Sequence, residues 1–226
     1  MSELLKVSVL VSAFTASALL TGWLRGFALS REVLDIPSAR SSHLVPTPRG
    51  GGVSIVLVVL LALPVLTSQA VLLPPSLWAF LGAGLSVGAI GWLDDRSSVA
   101  VGWRLCVHFG AALWALAWLG GLRALPVFGS TIELGLMGDA ITVLYLVWLL
   151  NLYNFMDGID GIAGIEAVTV CFGGAVLLRL FPGSEDAWLV PSLVGASVGG
   201  FLIWNFPRAR IFMETRAVAS SGSSWV

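Results

Sequence analysis

The chain has 226 residues, of which 57% are hydrophobic and only 11% charged, and its mean hydropathy is +0.93. A soluble domain carries about 25% charged residues, so this composition points to a protein that lives in a bilayer. The formal net charge of −1 lacks the basic excess on which nucleic-acid binding leans.

Crossing a bilayer takes about 20 residues of apolar helix. Runs at 4–24, 52–73, 76–93, 103–122, 141–153, 161–180 and 187–205 predict an all-α, polytopic transmembrane bundle of about seven spans. The fifth run is short, and its boundary with the acidic stretch that follows is the least defined. Glycine and proline inside these runs do not argue against helix, because packing between membrane helices tolerates both. The first run, with Lys6 at its head, lacks a small-x-small cleavage site and reads as an uncleaved anchor. Cys106 and Cys171 fall in separate apolar runs without ligand-spaced partners and read as small core residues.

Seven alternating spans put Arg25, Arg31, Arg40, Arg49, Arg96, Arg104, Arg208, Arg210 and Arg216 at one face, and Lys6, Arg123 and Arg179 at the other. The positive-inside rule places the first face in the cytoplasm. The loop at 25–51, Asp94-Asp95 and Asp157/Asp160 all share that face. Trp92, Trp103, Trp118, Trp148 and Trp204, near span ends, fit an interfacial aromatic belt.

Asn154-Phe155-Met156-Asp157-Gly158-Ile159-Asp160-Gly161 and Asp94-Asp95 each end an apolar run. Ionised acids beside hydrocarbon are costly and mark function by default. Mg²⁺ takes hard oxygen ligands, commonly one or two carboxylates with substrate phosphates and water. Phosphoryl transfer asks mainly for charge neutralisation and positioning. On a helix Asp94 and Asp95 point about 100° apart, whereas Asp157 and Asp160 share a face. The plainer alternative is that these acids cap the helices that follow.

The loop from Asp35 to Gly52 supplies donors. Arg40 and Arg49 offer forked guanidinium groups for phosphate oxygens, and His43 can donate to the same group. Gly50-Gly51-Gly52 lets main chain approach an anion at a helix start. A positive-inside loop with turn residues explains the charges alone, but not Pro46-Thr47-Pro48-Arg49-Gly50-Gly51-Gly52. His43 is equally readable as a solvated loop histidine, and His108, within a span, as a buried core residue.

The 35–52 loop, Gly91-Trp92-Leu93-Asp94-Asp95-Arg96 and Asn151-Leu152-Tyr153-Asn154-Phe155-Met156-Asp157-Gly158-Ile159-Asp160-Gly161 resemble the polyprenyl-phosphate N-acetylhexosamine-1-phosphate transferases of glycosyltransferase family 4. The match runs in order from about residue 35 to Met213. The resemblance implies a bacterial inner-membrane enzyme with its active site facing the cytoplasm. It would move a sugar-1-phosphate from a UDP-N-acetylhexosamine to undecaprenyl phosphate, release UMP and initiate O-antigen or another surface glycan. It further implies Mg²⁺ or Mn²⁺, with Asp94 and Asp95 serving acceptor activation and metal positioning. Asp157 and Asp160 would serve catalysis or nucleotide-sugar binding, with Asn154 in the same pocket. Oligomeric state, a homodimer included, is left open, and no nucleic-acid partner is expected.

After Asn205-Phe206-Pro207-Arg208-Ala209-Arg210-Ile211-Phe212-Met213 the family continues with Gly-Asp-x-Gly-Ser and further helices, whereas this chain reads Glu214-Thr215-Arg216 and stops at Val226. The expectation is therefore an integral domain over 1–213, an aberrant, disordered tail over 214–226, and a poorly active or inactive chain. Removing one G after the Met213 codon of a plausible coding run for Met-Gly-Asp-Ala-Gly-Ser-Gly-Phe-Leu-Gly reproduces the order from Met213 to Gly222, which suggests a frameshift. A transporter with acids at helix breaks, a non-catalytic membrane scaffold and a CDP-alcohol phosphotransferase are the competing readings. None of them explains all three ordered motifs.

Overall fold

A computed structural model describes residues 1–35, 45–97, 99–156, 160–180 and 186–213, with only the backbone of Asp35, Asp95 and Arg96. Seven helices, among the described residues, overlie the seven apolar runs. Ser2 opens α1 (Glu3–Ser30): its Oγ accepts the Leu5 amide at 3.3 Å, and Glu3 faces the positive end of the helix dipole. β1 (Leu34–Asp35) pairs antiparallel with β2 (Thr47–Pro48), and α2 (Gly52–Ser68) follows. α3 (Pro74–Arg96) begins on two prolines, whose missing amides would be unpaired there anyway. α4 (Val101–Leu119) stops at Gly120, whose φ of 86° is a left-handed conformation that glycine adopts freely.

β3 (Ala124–Val127) and β4 (Ser130–Glu133) form a hairpin. Its two turn residues, Phe128 and Gly129, both have positive φ, at 47° and 84°, the twist that suits a two-residue turn. α5 (Gly135–Met156), α6 (Ile162–Leu180) and α7 (Leu189–Asn205) complete the bundle.

Three boundaries differ from the sequence expectation. α5 starts at Gly135 rather than 141, because Asp139 interrupts the hydropathy but not the helical hydrogen bonding. α1 continues past residue 24 through Arg25 to Ser30. The two short strand pairs are additions to the all-helical expectation. Four helices are long and apolar enough to span: Glu3–Ser30, Pro74–Asp94, Gly135–Met156 and Ile162–Leu180. Gly52–Ser68 and Leu189–Asn205, at 17 residues each, stand at the lower edge of spanning length, which runs from about 17 to 25 residues.

α7 is the most enclosed helix. Leu189, Leu193 and Phe201 are fully buried where it packs against α1, α2 and α6. Gly200 sits so close to the Phe14 carbonyl that no Cβ fits, and this lets the α1 and α7 backbones touch. Gly82 similarly makes room for Trp114, whose Nε1 donates to the Trp78 carbonyl at 2.8 Å and joins α4 to α3. The outer surface is apolar: Leu19, Leu61 and Trp103 are each at least 70% exposed, as lipid-facing side chains are. Cys106 lies on this surface instead of in the core, while Cys171 is half-buried.

At the end of the bundle opposite the acidic motifs, Lys6 Nζ contacts Asp186 at 2.5 Å and Glu3 at 2.7 Å, and the Met1 amine lies 3.4 Å from Asp186. Lys6, with help from the terminal amine, holds the Asp186 carboxyl below its ordinary range. The cluster staples the start of α1 to the loop before α7.

Candidate active site at one end of the bundle

The up-and-down order brings the end of α1, the start of α2, the end of α3, the start of α4, the start of α6 and the end of α7 to one end of the molecule. Long-range hydrogen bonds tie most of them together. Thr21 Oγ1 of α1 and Ser54 Oγ of α2 lie 2.7 Å apart, both buried, and Ser54 also donates to the Gly51 carbonyl at 2.7 Å. The segment after α7 lies along residues 48–52. Phe212 N–H donates to the Pro48 carbonyl at 2.9 Å, Gly51 N–H to the Phe212 carbonyl at 2.9 Å, and Gly52 N–H to the Met213 carbonyl at 3.0 Å.

This pairing gives the glycine run a different role from the one its composition suggests. The Gly51 and Gly52 amides, expected to be available to an anion, are occupied by the chain itself. A Cβ at Gly51 would lie 2.6 Å from the Phe201 ring, and one at Gly52 2.9 Å from Met213, so these glycines admit the 211–213 segment. Gly50, with φ of 86°, turns the chain into the pairing. Arg49, next to it, is half-buried.

Asp94 is buried, and both its oxygens are engaged. Oδ2 accepts from Arg104 Nη1 at 3.1 Å, and Oδ1 accepts the Val99 amide at 2.9 Å. Burying that carboxylate is offset by a partner of opposite charge in the first turns of α4. A metal role for Asp94 requires this pair to open. The backbone of Asp95 follows it at the end of α3.

Asp160, at the entry to α6, presents the contrasting case. Its Oδ1 is buried without a hydrogen-bond partner. The adjacent Gly161, with φ of 73°, donates its amide to Asn205 Oδ1 at 3.0 Å, and Asn205 Nδ2 donates to the Ile211 carbonyl at 2.9 Å. Asn205, only 3% exposed, thus fixes the Asp160-Gly161 turn to the segment that pairs with Gly51. Asn154 is half-buried near the end of α5. Arg40, His43 and Asp157 lie outside the described residues. Among the described residues no three His, Cys, Asp or Glu side chains gather as a preformed metal cage.

An apolar cavity of about 380 Å³ lies between the start of α2 and the end of α3, bordered by Gly52, Val56, Gly88, Gly91 and Trp92. It reaches within one turn of Asp94. His108 is 5% exposed, as expected of a core residue, with Nδ1 3.5 Å from Asn151 Nδ2 on α5.

Arg104 and Asn205 also belong to this arrangement. Arg104 had served only as an orientation charge; a cation in an apolar run ten residues after an acid was the available signal. Asn205 marked only the departure point of a motif, yet a lone amide closing an apolar run asks for buried partners.

A family model for glycosyl transferase family 4 matches residues 77–214, which include most of α3, α4 to α7 and the segment beyond. The chain belongs to that family. A decaprenyl-phosphate N-acetylglucosaminephosphotransferase of Mycolicibacterium smegmatis is 33% identical over 213 residues, covering 85% of this chain and 52% of that protein. A Bacillus subtilis protein named "Probable undecaprenyl-phosphate N-acetylglucosaminyl 1-phosphate transferase" is 29% identical over 211 residues, covering 92% of this chain and 57% of that protein. The Mycobacterium leprae decaprenyl-phosphate N-acetylglucosaminephosphotransferase is 32% identical over 212 residues. The chain spans about half the length of these curated relatives. Membership of the family agrees with the resemblance drawn from the three motifs.

Proposed function

We propose that the chain takes part in transfer of an N-acetylhexosamine 1-phosphate from a UDP-sugar to undecaprenyl phosphate, at the cytoplasmic face of a bacterial inner membrane. An oxygen of the lipid phosphate forms a bond to the β-phosphorus of the nucleotide sugar. The bond from that phosphorus to the α–β bridging oxygen breaks, and UMP leaves. The product is a lipid-linked sugar diphosphate that starts an O-antigen or other surface glycan. The observation that carries this reading is the meeting, at one end of an apolar bundle, of the Asp94–Arg104 pair, Asp160 and the Arg49-to-Gly52 turn, in a family of this chemistry.

Each described group has a part in binding and orientation. Asp160, with a buried oxygen lacking a partner, suits a hard divalent cation such as Mg²⁺; Asp157 and Asp95 are its proposed companions. When bound, that ion supplies charge neutralisation for the phosphates. Arg104 holds Asp94 in place, and Asp94 and Asp95 orient the acceptor phosphate. Arg49 and Asn154, with Arg40 and His43, bind the donor. Asn205 keeps the Asp160-Gly161 turn in register.

Membranes containing the chain, given UDP-[¹⁴C]N-acetylglucosamine and undecaprenyl phosphate, test this. The expected result is a Mg²⁺-stimulated movement of label into organic-extractable lipid with matching UMP. Uptake of label into proteoliposomes without UMP release would favour the transporter reading instead.

A further inference from the structure

Two other basic groups of the bundle are neutralised: Lys6 by Asp186 and Glu3, and Arg104 by Asp94. Arg25 differs. It is half-buried near the end of α1, its Nε is buried without a hydrogen-bond partner, and among the described residues no carboxylate pairs with it. Its guanidinium carbon lies 5.8 Å from the centre of the Trp204 ring of α7.

The platform beneath it is fixed by two features. Trp204 Nε1 donates to the Ala18 carbonyl of α1 at 2.8 Å, which sets the edge of the indole. Gly22 leaves the space that the indole occupies, since a Cβ there would lie 2.7 Å from Trp204 Cζ2. Gly22 follows Ala18 by four positions and Arg25 follows Gly22 by three, so all three lie on the α1 face turned to α7. A cation over an aromatic face gains about 0.5–2 kcal/mol, but the contact does not cancel its charge. The stacked guanidinium keeps its planar fork for an anion, and this fork matches phosphate oxygens.

The position agrees with that ligand. Trp204 directly precedes Asn205, which anchors the turn carrying Asp160. One turn before Arg25, Thr21 meets Ser54, which holds Gly51. Arg25, without a carboxylate partner among the described residues, therefore stands at the acidic end of the bundle, near the C-terminal end of α1. We infer that Arg25, seated on the Trp204 indole, binds a phosphate group at the membrane boundary. The phosphate belongs either to a polyprenyl monophosphate or to an anionic phospholipid. The first source rests on the proposed reaction; the second rests only on the membrane placement.

The test is native mass spectrometry of the full chain in neutral detergent, titrated with farnesyl phosphate, farnesol, phosphatidylglycerol and phosphatidylcholine. Wild type is expected to retain at least one of the two phosphate-bearing anions more tightly than its uncharged or zwitterionic control. R25Q is expected to weaken that anion about ten-fold, equivalent to about 1.4 kcal/mol, and to leave the control unchanged. Loss confined to farnesyl phosphate identifies the acceptor-type phosphate, and loss confined to phosphatidylglycerol a bilayer headgroup. Equal affinities in R25Q and wild type for both anions would overturn the inference. If R25Q does not fold, R25K decides: a loss of three-fold or more supports the phosphate fork, and unchanged binding of both anions refutes it. Farnesyl phosphate bound no better than farnesol, with phosphatidylglycerol still dependent on Arg25, would count against the acceptor reading and leave this inference standing.

Discussion

Replacing Asn205 probes the joint between the candidate site and the fold. Its Oδ1 accepts the Gly161 amide at 3.0 Å and its Nδ2 donates to the Ile211 carbonyl at 2.9 Å, at 3% exposure. N205A leaves both buried backbone groups without partners, at about 1–3 kcal/mol each, so about 2–6 kcal/mol in all. For a chain of this size each kcal/mol moves the melting temperature by about 2–4 °C, which gives a fall of about 4–24 °C. N205D is more informative, because a neutral carboxyl accepts from Gly161 through its carbonyl and donates to Ile211 through its hydroxyl. The ionised form can only accept, and faces the Ile211 carbonyl oxygen. The introduced carboxyl should therefore have a folded pKa above its unfolded value. Its stabilising contribution is present below the unfolded pKa and is lost as pH rises through the folded one. Scanning fluorimetry in detergent at pH 8 and pH 5 measures this. N205D should recover stability relative to wild type at the lower pH. The reasoning fails if N205A melts within about 2 °C of wild type, or if the N205D deficit does not change with pH.

The Asp94–Arg104 pair yields a second expectation. R104M strands a buried carboxylate and should destabilise the chain by about 3–5 kcal/mol, whereas R104M combined with D94N should recover part of that loss; equal melting temperatures for the two variants would refute the coupling. G51A forces a Cβ against Phe201 and the Phe212 carbonyl and should cost about 1–3 kcal/mol, read as faster proteolysis between α7 and the tail; unaltered cleavage would count against the 48–52 pairing. Asp186 is held below its ordinary carboxyl value by Lys6, so the staple it makes is intact above about pH 4 and is lost as pH falls through the depressed value. The acid limb of the melting profile should flatten in D186N, and an identical limb in both proteins would exclude this contribution.

The helices were legible because a membrane span needs one long apolar run, and each run is its own signal. Asp139 misled the α5 boundary for the same reason: hydropathy stops at an acid, while the backbone hydrogen bonds do not. Asp94 and Asp160 were legible as costly acids, and the structure distinguishes them further, since Asp94 is neutralised by Arg104 and Asp160 retains an oxygen without a partner. The glycine run was only half legible. Its composition announces close approach, but composition cannot tell a ligand from residues 211–213, which approach from far along the chain. Trp204 was read as an interfacial belt residue, and nothing local announces that it stacks with a cation 179 positions earlier. Such pairings follow from how α1 and α7 cross, which the helical period of either segment does not encode.

The most direct measurement of the central claim is the fate of the two donor phosphates. Membranes bearing the chain are given UDP-N-acetylglucosamine labelled with ³²P at either the α or the β position, together with undecaprenyl phosphate and Mg²⁺. Transfer of a sugar 1-phosphate predicts β-label in the extractable lipid and α-label in released UMP, with both lost in D160N. Contradiction would come as β-label retained in UDP, as no lipid label above that of membranes lacking the chain, or as labelling that D160N leaves unchanged.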